Sequence, residues 1–524
     1  MGNSSSRNHK FCLTYQEYCV KYNDKMKKLF IFLIFLFVTS CNPEKGKKSI
    51  SIGFMGSLIT LDPHMRSEAV TVSVNSNIFE SLVQFDVDMN VKPCLAESWK
   101  NIAPNTWLFY IRAGVLFHNL DTLSPHDIKF SLKRALEHPN SELKGNLLKV
   151  KKVEVVNKNT VEITTTELDF TLLNKLANVP ILSKKYTENN DPNFLSSHPV
   201  GTGPYKFTEW EKDKYVALKR FDKYWGEIPQ IEEVETIFYS DLDNAVSDLV
   251  NGYISILSNF PCNEIEKLKD CKRIELVYTP SLSVRYLGFN MNSPVLCNKK
   301  LRLAIYYGIN RDKLIEEVRR GYAKKATQLL NPRVYGYNPQ ISQIPYDTVR
   351  ARQLMKEGGV ADGVKLRLLF FEARKEIAQV IKEELEKIDI NVQLVPKSAK
   401  DLFKDVKKGD FDIFIASYIS TSGDAEQGLC EEIHSRDVDR GYGLLNYENF
   451  SDEKIDMMIE NLQSIDSPID RLKMMKKIMA CVMDELPCVP LFVSEDLYAK
   501  ESSIEWKPRL DGSILVKEIS FKEN

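Results

Sequence analysis

The sequence predicts an α/β protein, β-rich in its first half and built of strand–helix–strand units with parallel pairing in its second. Three observations carry this. Strand-like and helix-like segments alternate along the chain. The helical segments open on capping residues. No segment after Val38 approaches about 18 consecutive apolar residues, so the body is not expected to span a membrane.

In order, "SISIGFMG" (49–56) alternates as a first strand. "WLFYIRAGVLF" (107–117) reads as a strand, and "SPHDIKFSLKRALEH" (124–138) as a helix with Ser124 at the N-cap and Pro125 at its first position. "KKVEVVNKNTVEITTT" reads as a hairpin turning at Asn157–Asn159. "NKKLRLAIYYGI" and "NRDKLIEEVRRGYA" are two successive helices, the second capped by Asn310. Then come a strand in "VKLRLLFFEAR", a helix in "KEIAQVIKEELEKID", a strand in "INVQLVPK", a helix in "SAKDLFKDVKKGD" and a buried strand in "FDIFIASYI". Such units imply parallel strands with right-handed crossovers.

The front end carries a separate signal. Met26-Lys27-Lys28 is a positive stretch, and "LFIFLIFLFV" (29–38) is an apolar run of ten. A helix of that length reaches about half of a ~30 Å hydrocarbon core, so the run reads as a signal peptide over 26–40. Val38-Thr39-Ser40 leads into Cys41 as a bacterial lipobox does. On that reading Cys41 is diacylglycerol-modified and becomes the mature N-terminus, with 41–47 a tether. Residues 1–25 are expected to be a start-site overextension with Met26 the true start. "MGNSSS" fits an N-myristoylation pattern, which the downstream export signal contradicts.

The 71 Lys and Arg against 72 Asp and Glu give a net charge of −1. Removing residues 1–40 takes six basic and two acidic residues, leaving 65 against 70, or −5. No basic excess points to nucleic acid. Seven of the ten cysteines follow Cys41, an odd number without a C-x-x-C. The seven histidines show no zinc-ligand spacing, "VGTGPY" lacks the lysine of a phosphate loop, and no G-x-S-x-G occurs. No enzyme, metal site or cofactor is expected.

Several stretches in order resemble one family. They are "LDPHMRSEAVTVSVNSNIFESLVQFDVDMNVKPCLAESWK", "WLFYIRAGVLFHNLDTLSPHDIKFSLKRA", "HPVGTGPYKFTEW", "DKYWG" (222–226), "RYLGFNMN" (285–292), "KLRLAIYYGINRDKLI" and "VPLF" (489–492). Together they are similar to the bacterial extracellular solute-binding proteins of the oligopeptide/dipeptide/nickel type, family 5. The resemblance implies a two-lobed, hinge-closing type II periplasmic binding protein with an extra domain inserted in the first lobe. Domain I is expected over 48–80, 196–285 and 493–524, the inserted domain II over 81–195, and domain III over 286–492. It further implies a monomer on the periplasmic side of a membrane. It would be held there by the lipid on Cys41 and would deliver peptides or peptide-like solutes to the permease subunits of an ABC transporter. A non-peptide ligand (nickel chelate, haem, sugar) and a peptide-sensing role without import are the alternatives.

The resemblance also implies a ligand site. A strand over Arg66, Ser67, Glu68 and Ala69 and another through "ASYISTSGD" (416–424) would sandwich a peptide by β-augmentation. Tyr418 stands near the family's tryptophan position, and Thr421 where an aspartate usually holds the peptide's amino group. Asp424 or Glu426 is the substitute if the loop shifts. Arg374, in "FFEARKE", is the candidate for the ligand's carboxylate, with Arg436 and Arg440 weaker. Asn290 and Asn292 lie near the lobe crossover, lining the cleft or tying down loop backbone.

Overall fold

The structure is a computed structural model that describes residues 49–522, apart from 66–67, 361–362, 421 and 466. The expected lipid site at Cys41, the expected signal peptide over 26–40 and residues 1–25 therefore lie outside the described residues.

One 11-stranded sheet runs through the described chain. Its order is Asn391–Lys397, Lys365–Phe371, Ile413–Ile419, Ile274–Phe289, Cys488–Glu501, Ile256–Leu257, Ser49–Met55, Glu233–Tyr239, Tyr215–Arg220 and Tyr205–Glu211, with Ala323–Lys325 added on Cys488–Glu501. Lys365–Phe371 is parallel to both Asn391–Lys397 and Ile413–Ile419, as the strand–helix–strand reading requires. The sheet as a whole is mixed, because Ile274–Phe289 pairs antiparallel on both sides.

The two long strands, of 16 and 14 residues, join the halves of the sheet. Their register shifts between Pro280 and Val284. Proline has no N–H to donate, so the ladder is interrupted there and a bulge absorbs the bend. Beyond the bulge the strand has two faces. Leu287 and Phe289 pack under the helices Lys299–Gly308, Arg311–Arg319 and Lys375–Glu386. Tyr286 faces the opposite side, with Phe414, Tyr418 and the helix Pro468–Glu485. Asn310 caps its helix by accepting from Lys313 N–H at 3.0 Å.

Residues 81–195 carry a second sheet, four antiparallel strands in the order Ala96–Ala103, Thr106–Ile111, Thr160–Thr165, Val150–Asn157. The hairpin turns where expected, with Asn159 N–H donating to Asn157 Oδ1 at 2.9 Å. The helix Pro125–Glu137 begins at the Ser124 cap, whose N–H donates to the Asp127 carboxylate at 2.9 Å. The strand expected over 107–117 ends at Ile111, because Gly114 adopts φ +77° and turns the chain.

Three of the sequence motifs meet at one buried carboxylate. Glu80, of "NIFESL", accepts from Thr202 Oγ1 at 2.9 Å, Tyr224 Oη at 2.7 Å and Trp225 Nε1 at 2.8 Å. Trp225 in turn carries the Arg112 guanidinium 4.3 Å over its ring. Beside it Gly203 N–H donates to Ile78 O at 2.9 Å, where a Cβ on Gly203 would sit 2.6 Å from Asn77 O. The glycines of "VGTGPY" thus let two backbones touch. His64 is fully buried against Pro180 O at 2.9 Å, and burial pulls its pKa down to about 4. The seven described cysteines are all free.

Candidate ligand-binding site

Because Lys365–Phe371 and Ile413–Ile419 are parallel, their carboxyl ends lie on one edge, the position where α/β sheets bind ligands. Arg374 follows the first of these strands directly and precedes the helix Lys375–Glu386. Its Nη1 donates to Ile415 O at 2.9 Å and its Nη2 to Ser417 Oγ at 3.3 Å. Ser417 lies opposite Arg285 in the strand register, and the Arg285 Nη1 also donates to its hydroxyl. Arg319, at the end of its helix, donates to Glu495 O at 3.0 Å. Among the described residues, none of the three forms an ion pair with a carboxylate. Burial lowers the Arg374 pKa. Burial, and then repulsion from Arg374 and Arg319, brings Arg285 down to about 9. The edge is thus a desolvated, positively charged seat.

The other expected site residues fall differently. Arg66, Ser67 and Thr421 lie outside the described residues. Glu68 and Ala69 do not form a strand: Glu68 is the N-cap of the helix Ala69–Ile78, and its carboxylate accepts from Thr71 Oγ1 at 2.9 Å. Asn290 does not line a cleft. Its amide donates to Gly409 O at 3.1 Å and Phe411 O at 2.9 Å, and its oxygen accepts from Asn292 N–H. Tyr418 is 4% exposed and belongs to the core, its ring against Gly428.

Asp424 is occupied. It caps the short helix Ala425–Gly428 through Glu426 N–H at 2.8 Å and pairs with Arg471, Nη1 to Oδ2 3.1 Å. The same guanidinium binds the Glu426 carboxylate and lies 4.9 Å over the Phe170 ring. Asp424 and Arg471 are buried, and burial pushes the Asp424 pKa up in spite of the arginine. A carboxylate already matched to a buried arginine is not available to a ligand's ammonium. Glu426 also faces Lys149 at 3.6 Å, and Asn174 Nδ2 donates to Ser422 O at 2.6 Å. These contacts join the 81–195 segment to the 420–426 loop.

A second buried acid titrates in an unusual range. Glu448 is 6% exposed beside Tyr286, its Oε1 makes no well-formed hydrogen bond among the described residues, and a Cβ on Gly288 would lie 2.5 Å from that oxygen. Burial pushes its pKa up to about 8. Between the ordinary carboxylate pKa and about 8 the folded protein holds a proton that the unfolded chain has released. Stability therefore falls as pH rises through this window, by about 1.4 kcal/mol per pH unit at most. Glu448→Gln is expected to flatten the decline of the urea midpoint between pH 5 and pH 8. An unchanged slope would remove Glu448 as its source.

Sequence reasoning missed Arg285, Arg319 and Arg471. A signal existed for the first: in "RYLGFN" an arginine occupies the same alternating face as Leu287 and Phe289, where an apolar residue is expected. Arg319 and Arg471 lie on helices that carry several other charged residues, so nothing local separates them from solvated ones.

One large mixed sheet crossed by two long strands, with helices on its faces and a second four-stranded sheet in residues 81–195, is the fold of a type II periplasmic binding protein. The family model described as "Bacterial extracellular solute-binding proteins, family 5 Middle" matches residues 90–437, and the chain belongs to that family, the solute-binding subunits of ABC importers. It is similar to the glutathione-binding protein GsiB of Salmonella typhimurium, 26% identical over 475 residues that cover 88% of this chain and 92% of that protein. Two solved structures share the fold. One is DppA from Helicobacter pylori in complex with peptide STSA (TM-score 0.74, 22% identity, 91% of this chain and 98% of that one). The other is NikZ from Campylobacter jejuni in complex with Ni(L-His) (TM-score 0.76, 22% identity, 91% and 100%).

Proposed function

We propose that the protein captures a peptide or peptide-like solute between its lobes and delivers it to the permease of an ABC importer. The observation that carries this is Arg374, an arginine at the sheet's ligand edge with no carboxylate partner among the described residues. Such a guanidinium suits a ligand carboxylate, which it can bind through two parallel hydrogen bonds. A relative named for glutathione and a fold relative holding a peptide support the same class. Domains I (48–80, 196–285, 493–524) and III (286–492) would close on the solute, with domain II (81–195) on the first. With Asp424 held by Arg471, the acidic end of the solute rather than its ammonium provides the main anchor. A lipid on Cys41 would keep the protein beside its transporter, since two acyl chains anchor where one does not.

Mass spectrometry of ligand released from protein purified without denaturation tests the reading. Peptides or peptide conjugates are expected, and recovery of only a metal chelate or a sugar would overturn it. Cys41→Ser is expected to move the protein from the detergent phase to the aqueous phase. Continued partition into detergent would remove the lipid anchor.

A further inference from the structure

The proposed function uses one arginine, whereas the seat holds three. Arg285, Arg319 and Arg374 come from a strand, a helix end and the turn after a second strand, and Arg285 and Arg374 share the Ser417 hydroxyl. Each is half-buried, so part of each is desolvated and part remains reachable. The Nε atoms of Arg285 and Arg319 are fully buried with no acceptor among the described residues. Among the described residues every acceptor that the three reach is neutral: Ile415 O, Ser417 Oγ and Glu495 O. Among the described residues the acid that Arg319 feels is Asp496, which is half-buried, accepts from Ser281 and forms no ion pair with it.

Among the described residues, three guanidiniums against one carboxylate leave two positive charges without a match in a partly dry site. Such charges are costly unless paired. A ligand with one carboxylate would leave one guanidinium uncompensated, whereas one with two acidic groups close together would balance both.

We propose that Arg285 and Arg319, with Arg374, make this protein selective for solutes that present two anionic groups at one end, such as a peptide with a carboxy-terminal Glu or Asp. The inference rests on the peptide reading above and goes beyond it in naming a second acid and the residues that recognise it. Arg374 takes one carboxylate, and Arg285, aided by Arg319, takes the other.

The test is titration calorimetry on the purified full-length protein with two tripeptides, Ala-Ala-Glu and Ala-Ala-Gln. In parallel, the melting temperature is followed with glutarate or with butyrate. The wild type is expected to bind Ala-Ala-Glu about tenfold or more tighter than Ala-Ala-Gln, the effect of one charge-assisted pair. Glutarate is expected to raise the melting temperature and butyrate to leave it unchanged. Arg285→Gln, and separately Arg319→Gln should the first variant not fold, is expected to reduce the preference to under about threefold and to cancel the glutarate shift. If both tripeptides bind equally, the peptide reading stands and the dianion seat is overturned. If neither binds but glutarate stabilises the wild type and not the variants, the seat stands and the peptide reading falls. If neither tripeptide binds and glutarate has no effect, both are overturned.

Discussion

Arg471→Ala is expected to lower stability by about 3–5 kcal/mol, the range for stranding a buried charge after its partner is removed. Arg471 is 2% exposed and is the cation between Asp424 and Glu426, both buried. Removing it leaves two carboxylates close together with Lys149, 3.6 Å from Glu426, as their remaining cation. It also empties the space against Phe170. Urea denaturation reads the loss as a fall in midpoint. The mechanism makes a second demand: Arg471→Met combined with Asp424→Asn and Glu426→Gln should recover much of the stability, because no charge is then left unpaired. A triple variant as unstable as the single one would mean that packing, not charge, sets the effect. Since Glu426 and Ser422 are among the points where the 81–195 segment meets this loop, the single variant should also weaken ligand binding.

Glu80→Ala is expected to cost about 3–5 kcal/mol by a different route. Three donors, buried on Thr202 and Tyr224 and half-buried on Trp225, lose their acceptor together, at about 1–3 kcal/mol for each buried group left unsatisfied. Glu80→Gln keeps an acceptor oxygen and should lose less, about 1–2 kcal/mol. Burial raises the Glu80 pKa, so the folded state favours the protonated form and the wild type gains stability relative to Glu80→Gln as pH falls towards that of an ordinary carboxylate. Thermal unfolding of the three proteins at pH 5 and pH 8 checks both the order and the trend. Equal stability of Ala and Gln variants would show that the donors find other partners.

The elements of the second half were legible because each rests on local chemistry. Asn310 caps by reaching the N–H of Lys313, three residues away, and Lys365–Phe371 alternates under its own helices. The hairpin at Asn157–Asn159 is equally local. The strand assigned to Glu68 and Ala69 failed because a short polar stretch suits an extended segment and a helix cap equally. Arg374 was legible as a candidate from its motif, yet the motif does not reveal that its partners are a carbonyl and a hydroxyl. Asp424 was equally visible, but whether it was free depended on Arg471, 47 residues away.

The sequence by itself determined the class of protein: the order of elements and the run of motifs from Leu61 to Phe492. These depend on neighbours along the chain and on residue types in a fixed order. Only the tertiary structure decided which charges are paired. It gave Asp424 an arginine, gathered "NIFESL", "GTGPY" and "DKYWG" around Glu80, and left Arg285 and Arg374 with one hydroxyl between them. The state of a charge is set by what lies within about 4 Å and by how much water remains, and residues far apart in the chain supply both.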